Sequence, residues 1–433
     1  MLDEPSLLAG VILHPRLILE RGKGSRVWDR EGREYLDFTA GLGCAALGHG
    51  RRDLASILAR QFATLGHTSN LYGNTPALEL ADRLVRSSFA SRIWFANSGT
   101  EANEAAIKFA RLHGARTGGT RKRVLVAFRG GFHGRTCGAL AVTHHPAYRR
   151  PFGPLLPGVR FGDFNDAEGA AALVDDRACA VIVEPVQGEG GVVPAEAAFL
   201  RRLREICDAR DALLIFDEVQ CGLGRTGSLH AYQGYGVTPD MLTLAKPLAA
   251  GLPLGALLIG EKVAGFLRPG QHGSTFSGGP AVCAVARRVF DRLSAPDFLV
   301  RVRERGALLM EGLVEAAGAS PIFEGVRGRG LMQALVLSSP RRHAPDRFVA
   351  LAREHGLLVT RAGPDAVRLL PPLSCTPAEI REALGVIRAV ALEMERAERK
   401  ARAPVRSKRE PERPARKGSR AGAAALAAAG GRG

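Results

Sequence analysis

LLIFDEVQCGLGRTGSLHAYQGYGVTPDMLTLAK, residues 213–246, holds two apolar runs that each end on a chemically capable side chain. LLIF leads to Asp217, and MLTLA leads to Lys246. Short apolar runs bounded by turn residues read as buried strands. In an open parallel sheet, ligands gather beyond the carboxyl ends of the strands. Asp217 and Lys246 therefore form a candidate active site. Solvated residues at two loop starts would give the same pattern, so the flanking sequence has to decide.

Working outward, ACAVIVEPV (178–186) reads as a buried strand, and Glu184 and Glu189 leave its carboxyl end. AAFLRRLREICDARD (197–211) is an amphipathic helix; RVLVAF (123–128) and LGALLIG (254–260) are further strands. In ANSGTEANEAAIKFARLHG (96–114), Ser98, Gly99 and Thr100 open a helix and Gly114 closes it. Free N–H groups and hydroxyls at a helix start suit phosphate, although an ordinary Ser/Thr cap has the same spelling. RGGFHGRTCGAL (129–140) is a glycine-rich loop. Its Phe132 could stack on a planar ring and its Arg135 could grip a carboxylate; a packing ring and a surface cation are the plainer alternatives. QHGSTFSGGP (271–280) is another glycine- and hydroxyl-rich loop before the helix PAVCAVARRVFDRL.

Alternation of strands and helices from about 95 to 260 predicts an α/β domain with a mostly parallel sheet. Upstream, GKGSRVWDREGREYLDF reads as a hairpin around Asp29-Arg30-Glu31-Gly32, and PALELADRLVRS (76–87) as a helix. After about 295, GVRGRGLMQALVL, HGLLVTRAG and AVRLLPPL read as short strands between helices, a smaller α+β domain. The expected division is an N-terminal segment 1–45 packing with the small domain, a large domain 46–294, a small domain 295–397 and a disordered basic tail 398–433.

At 433 residues the chain exceeds the usual size of one core. It has no run of 18 apolar residues, so no membrane helix is expected. LLAGVIL (7–13) follows Asp3 and Glu4 rather than a basic region, which argues against a secretory leader and for a cytoplasmic setting. The seven cysteines contain no CxxC, so neither a disulfide framework nor a metal site is expected. The net charge of +17 resembles a nucleic-acid signal, but residues 396–433 carry 12 Lys/Arg against 3 Asp/Glu. About half of the excess thus sits in the tail. Nucleic acid is expected only as a weak contact of that tail.

A lysine amine that condenses with an aldehyde, and a carboxylate that keeps a pyridine nitrogen protonated, are what pyridoxal phosphate chemistry needs. NSGTEANEAAIKFAR, FHGRT, EPVQGEGGV, LLIFDEVQCGLGRTG, TLAKPLAAGLPLGA, HGSTFSGGP and VRLLPPL occur in that order. Together they resemble the class III aminotransferases of the fold-type I pyridoxal phosphate enzymes, and within them the acetylornithine aminotransferases. The resemblance runs from about residue 10 to 395.

The resemblance implies that Lys246 binds the cofactor and shuttles a proton, and that Asp217 pairs with the ring nitrogen. Gln220 would reach the ring oxygen and Phe132 would cover the ring. Ser98, Gly99, Thr100 and Thr275 would hold the phosphate. Arg135 would grip the donor's α-carboxylate, and Ser274 would lie near the substrate. Glu189 and Arg368 resemble a paired charge switch that serves two substrates in one pocket. The implied partners are an amino donor, 2-oxoglutarate and a second copy of the chain, with the active site at the dimer interface.

The implied reaction converts N2-acetylornithine and 2-oxoglutarate to N-acetylglutamate 5-semialdehyde and glutamate, a step of arginine biosynthesis. Leu42 stands where ornithine enzymes carry a tyrosine, and Asn103 and the HGST spelling point away from 4-aminobutyrate enzymes. Cys44-Ala45-Ala46, Pro247 and Ser277-Gly278-Gly279 depart from common family spellings, which leaves succinylornithine, 4-aminobutyrate, ornithine or carrier-linked lysine as alternative donors. From another class, the alternative is an idle scaffold that binds nucleic acid through its tail.

Overall fold

The computed structural model describes residues 17–338 and 344–402. The apolar run 7–13 and the segment from 403 onward lie outside the described residues. A seven-stranded sheet is the centre of the fold. Its spatial order is 92–96, 255–259, 241–244, 213–217, 178–183, 124–128 and 159–162. Only Gly255–Ile259 runs against its neighbours. The central strands are apolar apart from Asp217 and Thr243 and buried at every position because helices cover both faces.

Strands Leu213–Asp217 and Met241–Leu244 pair in parallel, with Asp217 opposite Thr243. Both expected chemical residues therefore emerge at one sheet edge. A short 3-10 turn, Lys246–Ala249, begins at the lysine, and Pro247 presets its backbone angle.

Helix Gly99–Gly118 packs along the sheet through Ala102, Ala105, Ala106, Ile107 and Phe109. The expected stop at Gly114 is not where it ends. A Cβ at Gly114 would lie 2.7 Å from the Cβ of Cys179 and would overlap the Lys122 carbonyl oxygen. The glycine is there so that the helix can approach strand Ala178–Val183. Gly114→Ala is accordingly expected to destabilise the protein by about 1–3 kcal/mol through overpacking, despite alanine's better helix propensity. Thermal unfolding of the two proteins checks the sign.

Two four-stranded sheets flank this core. Strands Leu19–Lys23, Arg26–Asp29 and Glu34–Asp37 form the expected antiparallel hairpin array, turned by Gly32 at φ +82°. Leu357–Leu358 from far downstream adds to it beside Leu36 and Asp37. Strands 323–329, 332–337, 366–369 and 360–362 form an antiparallel sheet. Helices Pro296–Gly318, Pro345–Glu354 and Pro377–Arg402 accompany it.

The sequence reading assigned no element to Arg52–Thr64 or Pro296–Gly318, and both are helices. Gly306 and Gly312 interrupt the second pattern. A Cβ at Gly306 would meet the Gly330 backbone at 2.8 Å, so this glycine marks close packing rather than a break. The last helix also corrects the expected start of the disordered tail at 398. It continues to Arg402, where the Arg399–Glu395 pair at 3.0 Å supports another turn. Among the described residues, no helix is long and apolar enough to cross a membrane.

Candidate active site

Asp217 ends its strand inside the protein, 3% exposed. Its Oδ2 accepts hydrogen bonds from Asn103 Nδ2 at 2.7 Å and His133 Nδ1 at 2.8 Å, and its Oδ1 accepts from the Val219 N–H at 3.0 Å. Burial alone would raise its pKa. The hydrogen bond and charge of His133, with the Val219 and Asn103 donors, outweigh burial and hold it below the ordinary value. His133 is itself buried; desolvation opposes its protonation, but the Asp217 carboxylate raises its pKa. The result is a fixed buried anion at the strand end.

Lys246 shares a cavity of about 250 Å³ with Asp217. Burial lowers the pKa of its amine and Arg368 adds to that, while Glu189 opposes it. A larger share of uncharged amine is what a nucleophilic lysine requires. Gly99, Thr100, Phe132, Arg135, Glu189 and Gln220 line the same cavity.

The helix Gly99–Gly118 aims its N-terminus at this space. Ser98 caps it by accepting from the Glu101 N–H at 3.3 Å. The Thr100 and Thr136 hydroxyls meet at 2.9 Å. Room at this end depends on two glycines. A Cβ at Gly99 would lie 2.6 Å from Val219 Cγ1, and one at Gly134 would lie 2.6 Å from Thr100 Cβ. Gly134 also sits at φ +137°, open to glycine only.

At the other side, Arg368 is 1% exposed and donates to Glu189 Oε1 at 2.6 Å and to Gln220 Oε1 at 3.1 Å. Burial would raise the Glu189 pKa, but the Arg368 charge holds it low. These two residues lie 179 positions apart in sequence, on different sheets and loops, and tertiary folding pairs them. Arg135 is exposed and makes no hydrogen bond or ion pair among the described residues. Its guanidinium carbon lies 3.5 Å from the Tyr148 ring centroid.

Not every expected site residue reaches the cavity in a single chain. Ser98 acts as the cap just outside it, and Arg368 touches it through Glu189 and Gln220. Ser274 instead accepts from Asn97 Nδ2 at 3.0 Å, and Thr275 is exposed and away from the lining.

Three residues with no assigned role stand at its centre. Asn103 bridges Asp217, the His133 carbonyl and Thr243. His133 is the partner of Asp217. Glu184 accepts from the N–H groups of Phe132 at 2.9 Å and Gly188 at 3.1 Å. Burial, aided by the negative charge of Asp217, pushes its carboxyl up to about 7. Beforehand, Asn103 had served only to separate subgroups of the family, and His133 and Glu184 lie in motifs that had been read for a neighbour. Among the described residues, no group of three or more His, Cys, Asp or Glu could hold a metal.

The residues fit pyridoxal phosphate on structural grounds. A helix N-terminus with hydroxyls and glycine clearance suits a phosphate. A buried anion suits a pyridinium, and a desolvated lysine suits an aldehyde.

Comparison with known proteins agrees. The chain is 46% identical over 393 residues to the acetylornithine aminotransferase of Xanthomonas campestris pv. campestris, covering 89% of this chain and 96% of the relative. It is 46% identical over 368 residues to a succinylornithine transaminase of Salmonella paratyphi A, covering 85% and 90%. The crystal structure of N-acetylornithine aminotransferase from Stenotrophomonas maltophilia K279a superposes with a TM-score of 0.78 at 41% identity, covering 89% of this chain and 98% of that one. The family match spans residues 11–391, and the chain belongs to the class III aminotransferases, which are pyridoxal phosphate-dependent enzymes.

Proposed function

We propose that the protein moves the δ-amino group of N2-acetylornithine to 2-oxoglutarate, as a step of arginine biosynthesis in the cytoplasm. The observation that carries this reading is the asymmetry of the two arginines. Arg368 is masked by Glu189, while no carboxylate among the described residues binds Arg135. A donor with one carboxylate and a distal amine meets one available cation. Once Glu189 swings away, Arg368 becomes the second cation that a dicarboxylate acceptor needs. One cavity then serves both halves of a ping-pong reaction.

Pyridoxal phosphate supplies an aldehyde for the amine and a ring that accepts electrons. Gly99, Thr100 and the helix start capped by Ser98 would hold its phosphate, with Phe132 against the ring and Asp217 and Gln220 at its polar atoms. Lys246 Nζ, whose pKa burial lowers, would take the proton from the amine-bearing carbon of the donor and, in the second half of the reaction, deliver one to the acceptor carbon that receives the amine. Arg135 would fix the donor's α-carboxylate, which leaves the distal amine facing Lys246.

A homodimer completes the picture. An apolar cavity of about 800 Å³, lined by Leu58, Phe62, Phe276 and Val282 among others, lies at the surface. Phe62 is 68% exposed and Phe276 70%. Such a face favours a second copy of the chain. Phe276 belongs to the same loop as Ser274 and Thr275, so that loop would enter the partner's site, with Thr275 reaching its phosphate. In this reading residues 46–294 form the cofactor domain, and 295–397 with the N-terminal segment form the small domain. The basic tail would at most touch nucleic acid weakly.

Succinylornithine is the second reading. A further cavity of about 650 Å³ adjoins the first at Phe132 and Glu189, and its room exceeds what an acetyl group needs. A donor panel of N2-acetylornithine, N2-succinylornithine, ornithine and 4-aminobutyrate, each with 2-oxoglutarate, tests the assignment. The expected order places the two acylated donors at least about tenfold above the others in kcat/KM. Preference for 4-aminobutyrate or free ornithine would overturn it.

A further inference from the structure

The exposed Arg135 is held in an unusual way for a residue that must meet a carboxylate. No carboxylate and no backbone carbonyl among the described residues binds its guanidinium. Its carbon lies 3.5 Å from the Tyr148 ring centroid and 5.7 Å from that of Phe132. Tyr148 sits in the short helix Pro146–Arg149. The His145 ring stacks on Tyr148 at 4.1 Å with 18° between planes. Two groups so close to one ring centroid must occupy its opposite faces. Phe132 stands edge-on to the same ring at 6.5 Å and 88°. His145, Tyr148 and Arg135 thus form a stack, and Phe132 braces its side.

A flexible arginine in water loses rotamer freedom when it grips a ligand. A stack on an aromatic face limits that loss in advance and leaves the in-plane N–H groups free for a carboxylate. Tyr148 also lines the larger cavity beside the site, while Arg135 lines the smaller one. The stack therefore stands at the seam between the two.

We propose that Tyr148 is a positioning residue, whose ring presents the Arg135 guanidinium to the carboxylate of the amino donor. This rests on the reading in which Arg135 receives that carboxylate. Tyr148 touches neither the reacting carbon nor the amine.

The test compares two donors that differ only by the carboxylate, N2-acetylornithine and N-acetylputrescine. For Tyr148→Ala, the preference for the carboxylated donor in kcat/KM is expected to fall about tenfold, mainly through KM. Tyr148→Phe, which keeps the ring, retains most of it. Binding of N2-acetylnorvaline, which lacks the reacting amine, is expected to weaken by a similar factor in the alanine variant, read by calorimetry. An equal loss on both donors, or equal behaviour of the Phe and Ala variants, would overturn the proposal. If Tyr148→Ala does not fold, Tyr148→Leu carries the same comparison. If the wild type rejects N2-acetylornithine, the functional reading fails by itself. The ornithine and putrescine pair, which differ by the same carboxylate, then tests Tyr148.

Discussion

Lys246→Ala is expected to lower transamination with N2-acetylornithine by at least about a thousandfold, the upper part of the range for removing a positioned acid–base group. The lysine starts the turn after strand Met241–Leu244 and has no substitute within the lining. Of the other cations near the cavity, Arg135 and Arg368 cannot lose a proton at working pH, and His133 is held by Asp217. Burial makes Lys246 Nζ easier to deprotonate than a surface lysine, so the loss combines nucleophile and proton carrier in one residue. The check has two parts. Turnover should fall to background, and borohydride reduction followed by peptide mass analysis should find cofactor attached at position 246 only in the wild type. A variant that keeps a tenth of its activity would remove Lys246 from the centre of the mechanism.

Asp217→Asn should come next, with a loss of about a hundredfold or more in kcat, because an amide cannot balance a cation placed against it. The same substitution leaves His133 buried without its anion. Breaking such a pair costs about 3–5 kcal/mol of stability. The pH dependence follows from the directions of the two shifts. The Asp217 pKa is depressed from 3.8, so its contribution is present above that value and lost as pH falls through the lower folded value. The His133 pKa is raised from 6.5, so its contribution is present below 6.5 and lost as pH rises through the higher folded value. The stability gap between wild type and Asp217→Asn should therefore be widest between about pH 4 and 6.5 and should narrow above it. Denaturant titrations across that range measure the gap. A gap that widens steadily toward pH 9 would contradict the charged pair.

Much of this protein was legible before folding. Strand-length apolar runs with β-branched and leucine content marked the buried sheet, since a strand covered on both faces has no polar positions to alternate. Asp217 and Lys246 stood at their ends. The glycines were harder. Gly32 read correctly as a turn because its positive φ is a local property. Gly114 read as punctuation and Gly306 had no reading, but each exists because a distant backbone comes too close for a Cβ. A local pattern carries no information about such a neighbour.

The sequence by itself determined the α/β character of the core and the two residues at the strand ends, because burial periodicity and strand termination act over a few neighbouring positions. Only the tertiary structure decided how the site is charged. It set His133 and Asn103 on Asp217, masked Arg368 with Glu189, left Arg135 on Tyr148, and kept Thr275 out of its own chain's cavity. Electrostatic state depends on distance and desolvation in three dimensions, and residues far apart in the chain supply both.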